Sequence, residues 1–276
     1  MKRFSGYLKH DFAKTAFAVF AAVLLCALYS VNSAKFRLIN TYKVKANSVS
    51  ADKFGNFYTA SNNKILKFGS DGKYLFPYEE FRYGKIGMLD VTNPMKLLVF
   101  YPDFLTVVSL DRFLSPLSTY NFFSLGYQNI AAIASSVDGR LWFYDNVDFK
   151  LKKIDETGII FRESQPLNVL LGQAPNPNFI IERDNQVYVN DSALGILVFD
   201  FFGSYNKTIP LRGLTKFQLV QQQIVYQEHN RLKSYNPVSF EWKEVQLPDT
   251  ADLVQAVLEK ESLAILKKEQ VDFYRY

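Results

Sequence analysis

The chain has 276 residues, of which 48% are hydrophobic and 16% aromatic, with only 13 Gly and 10 Pro. This composition excludes a disordered or low-complexity protein and allows one large domain or two small ones. The formal net charge is +5, but the first fourteen residues carry +3 of it, so the remainder is too nearly neutral for a polyanion-binding surface and no nucleic-acid partner is expected.

Residues 15–34 carry no charge and follow Lys2, Arg3, Lys9 and Lys14. This is a membrane-targeting pattern, and it admits two readings. It is either a signal peptide, cleaved after a small-residue pair such as Val31 and Ser33 or Asn32 and Ala34, or a retained single transmembrane anchor. Both readings export the rest of the chain to a periplasm or cell envelope. Cys26, the single cysteine, lies inside the segment. The residue before it, Leu25, is not the small residue a lipoprotein signal requires, and Cys26 reads as an ordinary buried thiol. With no later cysteine, residues 35–276 have no disulfide and depend on their core.

Asp52 to Leu75 reads as strand, hairpin, strand, hairpin, strand, with reversals at Lys53–Gly55, Ser61–Asn63 and Gly69–Gly72. Degenerate copies follow. The residue opening the second strand recurs as Asn56, Lys96, Arg140, Gln186, Gln223 and Ser262, each leading an apolar run. The end of the third strand recurs as Phe68, Leu110, Ile154, Phe199, Tyr235 and Tyr274. Turns such as Asp155–Gly158 and Asp200–Gly203 follow, where Asp accepts backbone amides and Gly tolerates positive φ. Asp249–Lys260 has a pattern that a helix would also satisfy, but the repeat register favours a strand.

A repeat of about forty residues taken six times predicts an all-β, six-bladed β-propeller of four-stranded blades. The sixth copy lacks its outer strand, and Phe36–Val44 alternates as a strand should, so this N-terminal strand is expected to close the ring. The domains are therefore 1–34, leader or anchor, and 35–276, propeller.

Asp52-Lys53-Phe54-Gly55-Asn56-Phe57-Tyr58, with Ile65 to Phe68 and Asp71-Gly72, resembles the repeat of NHL-type and related six-bladed propellers, and Val137 to Trp142 matches it in part. The other copies have lost the glycines, so the resemblance extends to the architecture of the chain and to the motif of two repeats. Among six-bladed propellers, lactonases and related hydrolases hold calcium in the central channel. That resemblance implies Asp90, Glu182 and Glu259, near inner-strand ends, as ligands in an alternative reading: a metal-dependent lactonase-like or sugar-processing hydrolase.

The residue inventory itself points away from catalysis. His229 is the one histidine beyond the leader, which excludes a multi-histidine metal site, and its place in a hairpin corner favours an exposed turn residue. No phosphate loop or nucleophile elbow is present, and no cofactor is expected. What remains is surface. Tyr101, Asp103, Phe104, Asp145, Asp148, Phe149 and His229 lie at or beside hairpins on the face shared with the inter-blade links, where partners bind. The expected function is a non-enzymatic platform for a protein partner, in the envelope and attached to the membrane if the leader is retained. A ligand-binding sensor domain, with a deep pocket instead of a flat face, is a third reading.

Overall fold

The computed structural model describes residues 36–276, and the segment 1–34, expected to be a leader or anchor, lies outside them. These residues form six four-stranded antiparallel sheets. The innermost strands are Ser48–Ala51, Met88–Asp90, Ile130–Ser135, Pro177–Arg183, Gln218–Val220 and Leu253–Glu259. Five blades run in sequence order from inside to outside. In blade 6 the outer place is taken by Arg37–Lys43, paired antiparallel with Gln270–Arg275 from Arg37↔Arg275 to Lys43↔Gln270. The six-bladed ring and its N-terminal closure are thus as the repeat predicts.

Burial explains why the middle strands are apolar runs instead of alternating ones. Leu97–Tyr101, Thr106–Leu110 and Leu141–Asp145 are buried at every position, because both faces of a blade pack on neighbouring blades. The outer strand Ile160–Glu163 is exposed at every position. Core clusters consequently lie at the seams between blades. At the closing seam Phe273 packs on Phe57 and Phe68 with ring centroids 5.4 and 5.1 Å apart, and each buried ring contributes about 2–3 kcal/mol. Polar contacts add to the closure. Thr41 donates its hydroxyl to Asp272 at 2.7 Å, and the Lys267 ammonium lies 2.6 Å from Asp272 and 2.5 Å from Asp249.

The recurrent aspartates do what the turn chemistry requires. Oδ1 of Asp111, of Asp155 and of Asp200 each accepts the backbone N–H groups two and four residues on, at 2.8–3.0 Å. Asp52 accepts from the backbone of Phe54 and Asn56, the Asn56 amide and the Tyr58 hydroxyl, all within 3.0 Å. Asp249–Lys260 contains the strand Leu253–Glu259, as the register indicates. A four-residue helix, Leu167–Leu170, occupies the long link between blades 3 and 4 and has no signal in the sequence. Among the described residues, no helix is long and apolar enough to cross a membrane.

Candidate functional site

The axis offers a narrow cavity of about 70 Å³ lined by Ser50, Asp90, Phe179, Arg183, Lys216 and Glu259 among others. Asp90 is largely occupied: Oδ1 accepts the Thr92 N–H at 2.7 Å and Oδ2 accepts the Ser135 N–H of the next blade at 2.6 Å. Glu259 is half-buried, and burial raises its pKa even though Arg183 and Lys260 oppose the rise. Lys216 reaches in from the link before blade 5. Its ammonium donates to the Ser50 hydroxyl of blade 1 at 2.9 Å and sits 5.8 Å from the Phe179 ring centre. Burial pushes the Lys216 pKa down to about 8, with Asp90 opposing.

Glu182 is elsewhere. It is buried at the seam between blades 3 and 4, where Oε2 accepts the Trp142 indole N–H at 2.6 Å. Strand alternation explains this, since Phe179, Ile181 and Arg183 line the axial cavity while Glu182, between two of them, points to the other side. The three carboxylates implied as calcium ligands therefore do not converge. Asp90 is held by backbone amides, Glu182 is sealed in a seam, and the Lys216 ammonium shares the axial cavity with Asp90 and Glu259. The residues present do not fit a channel cation. Among the described residues no group of three His, Cys, Asp or Glu side chains is placed to hold a metal.

The face carrying the links and the second-to-third-strand hairpins is built differently. Tyr101 is fully buried, with its hydroxyl donating to that of Tyr78 at 3.2 Å and its ring 5.6 Å from Tyr83, so the expectation of a rim ring there is corrected. Asp145 is also buried, paired with Lys152 at 2.9 Å. Asp148 joins the same ammonium at 2.5 Å and remains partly exposed. Burial works against the Lys152 charge, but the hydrogen bonds to Asp148 and Asp145 outweigh it and hold the pKa above the ordinary lysine value. Phe149 is half-buried at φ +57° and packs against the core cluster that contains Leu167. Asp103, Phe104 and His229 are exposed, and His229 has φ +54° at its hairpin corner.

Sequence reasoning missed most of the exposed apolar side chains on this face. Phe81 is 73% exposed, Phe104 56%, Phe123 69%, Val147 61% and Val169 78%, with Leu170 beside it. They occupy successive loops tied edge to edge. The Lys85 N–H reaches Asp103, the Phe122 N–H donates to Leu105 O, the Asn146 N–H to Asn129 O, and the Leu167 N–H to Phe149 O. The result is an arc over blades 2 and 3 and the links flanking them. Loops of this kind need no apolar side chain for folding, and such rings at high exposure mark contact surfaces. The signal available in the sequence was the presence of Phe81 and Phe123 inside inter-blade links.

The sequence matches no protein family and no curated protein. Solved structures of similar shape do exist. A catalytically inactive virginiamycin B lyase from Staphylococcus aureus, crystallised with quinupristin, superposes with a TM-score of 0.59 at 14% identity, over 88% of this chain and 100% of that one. The Neurospora crassa Pan2 WD40 domain gives 0.62 at 10% identity, over 89% and 97%. A chain of a mitotic checkpoint complex gives 0.51 at 14%, over 86% and 75%. A lyase and a WD40 domain share this shape, so the likeness concerns fold alone. The protein is a six-bladed β-propeller of four-stranded blades.

Proposed function

We propose that the protein is a non-enzymatic, exported propeller that serves as a protein-interaction platform in the cell envelope, as a subunit of a membrane-associated complex. The observation that carries this reading is the set of Phe81, Phe104, Phe123, Val147, Val169 and Leu170, exposed on loops of one face that backbone hydrogen bonds tie to one another. Aromatic and aliphatic side chains on a rigid rim supply the anchors of a protein interface. The uncharged segment 15–34 behind a basic flank supports export.

The test is crosslinking in the native host followed by purification of the full-length protein, wild type against Phe104→Asp/Phe123→Asp. A specific partner recovered with the wild type and lost with the double variant supports the platform. Recovery of a lone monomer, or of the same partner with both proteins, overturns it.

A further inference from the structure

The opposite face, which carries the first-to-second-strand and third-to-fourth-strand turns, is asymmetric. In blades 1, 2 and 3 the first two strands are joined by residues 52–56, 91–96 and 136–140, whereas in blades 4, 5 and 6 only 184–185, 221–222 and 260–261 join them. The short turns leave a cleft of about 620 Å³ between blades 4 and 5, within the range of small-molecule sites.

The short turns are held in a conformation their residues do not favour. Asp184 and Asn185 have φ +51° and +61°, which Asp and Asn tolerate. Gln221 and Gln222 have φ +46° and +64°, where glycine is the usual choice. Two strained, exposed glutamines in succession at the mouth of a cleft suggest that their amides serve there. Neither side chain makes a hydrogen bond to another described residue.

The lining defines the ligand. Amides of Gln186, Gln221 and Gln222 both donate and accept, as hydroxyl groups require, and Gln186 already orients one group by accepting the Tyr188 hydroxyl at 2.7 Å. Lys207 and Lys260 are exposed on the cleft with no carboxylate at ion-pair distance among the described residues, and Arg183 adds a third cation, against Asp184 and Glu259. Ile209, Leu219 and Ile224 offer apolar walls for the C–H faces of a ring. We propose that this cleft binds a small acidic sugar, with its hydroxyls on the glutamine amides and its carboxylate or phosphate between Lys207 and Lys260. The site is separate from the apolar arc and does not depend on the platform reading.

Isothermal titration of the full-length protein at low salt, with glucuronate, glucose 6-phosphate, glucose and acetate as probes, tests it. Glucuronate or glucose 6-phosphate should bind at least about tenfold tighter than glucose or acetate, and the tighter of the two identifies the anionic group. Lys207→Glu/Lys260→Glu, both at exposed positions, should remove that preference. Gln221→Gly/Gln222→Gly should raise the unfolding midpoint by relieving positive φ while weakening binding, an opposition that a merely structural turn would not give. Equal binding of glucose and glucuronate, unchanged affinity in the lysine variant, or no binding by any probe overturns the proposal. Partner capture by the apolar arc is read separately and is unaffected by either variant.

Discussion

Trp142 in blade 3 donates its indole N–H to Glu182 in blade 4 at 2.6 Å, with both side chains buried, and the other carboxylate oxygen of Glu182 has no partner among the described residues. The contact joins two blades that the chain otherwise connects through one long link. Glu182→Ala leaves the indole donor unpaired beside a void and should cost about 2–4 kcal/mol. Glu182→Gln keeps an acceptor for Trp142 in a side chain of the same shape, so its cost should stay within about 1 kcal/mol. Urea unfolding of the two variants checks this, and equal destabilisation would show that the indole hydrogen bond is not the stabilising element.

The closing strand predicts a second set of effects. Thr41→Val removes its hydroxyl from Asp272 and should cost about 1 kcal/mol, whereas Asp272→Ala also takes away one of the two carboxylates that pair with Lys267 and should cost about 3 kcal/mol. The Lys267 hydrogen bond, aided by the Ala251 amide, holds the Asp249 carboxyl below its ordinary value. A carboxyl depressed in the folded state contributes stability above its unfolded pKa and loses it as pH falls through the folded one. Stability should therefore fall more steeply below about pH 4 in the wild type than in Lys267→Met, as followed by thermal melts across the acid range.

Lys216 has the same direction of pH dependence for the opposite reason, because its charged form is the disfavoured one. Its folded pKa, pushed down to about 8 by burial, lies below the unfolded value, so the folded state binds fewer protons between the two. The cost of holding the charge is in force below about pH 8 and is relieved as pH rises toward about 10.4. Lys216→Met should be more stable than wild type at pH 7 by about 1 kcal/mol, with the gap closing by about pH 10. A constant gap across that range would show that the ammonium is not desolvated at the axis.

Gly72 and Gly139 separate close packing from conformation. Both have positive φ, but a Cβ on Gly72 would lie 2.6 Å from the Phe273 ring at the closing seam, whereas one on Gly139 would meet nothing within 4 Å. Gly72→Ala should cost about 2–4 kcal/mol and Gly139→Ala about 1 kcal/mol, measured by the same denaturant titration. Similar costs for the two would place the whole effect in φ.

The repeat, the blade count and the ring closure are legible in the sequence because local rules set them. Asp111, Asp155 and Asp200 mark turns by hydrogen bonds to amides two and four residues away, and such bonds depend only on neighbouring sequence. Arg37–Lys43 was identifiable as the closing strand from its own alternation and from the strand missing in the last repeat.

The placement of single side chains was not legible in the same way. Alternation along a strand separates two faces, but in a propeller both faces of a middle strand meet another blade, so it does not say which side chain reaches solvent. Tyr101 and Asp145, at strand ends beside hairpins, were thereby expected at the rim and are buried. Adjacent residues Glu182 and Arg183 serve different surroundings, a seam and the axis, because neighbouring side chains leave a strand on opposite sides. The sequence by itself determined the ring and its closure, through periodic apolar runs and turn chemistry. Only the tertiary structure decided that the loops bearing Phe81, Phe104, Phe123 and Val147 lie side by side and that short turns open a cleft between blades 4 and 5, since both features are assembled from loops far apart in the chain and brought together by the packing of blades.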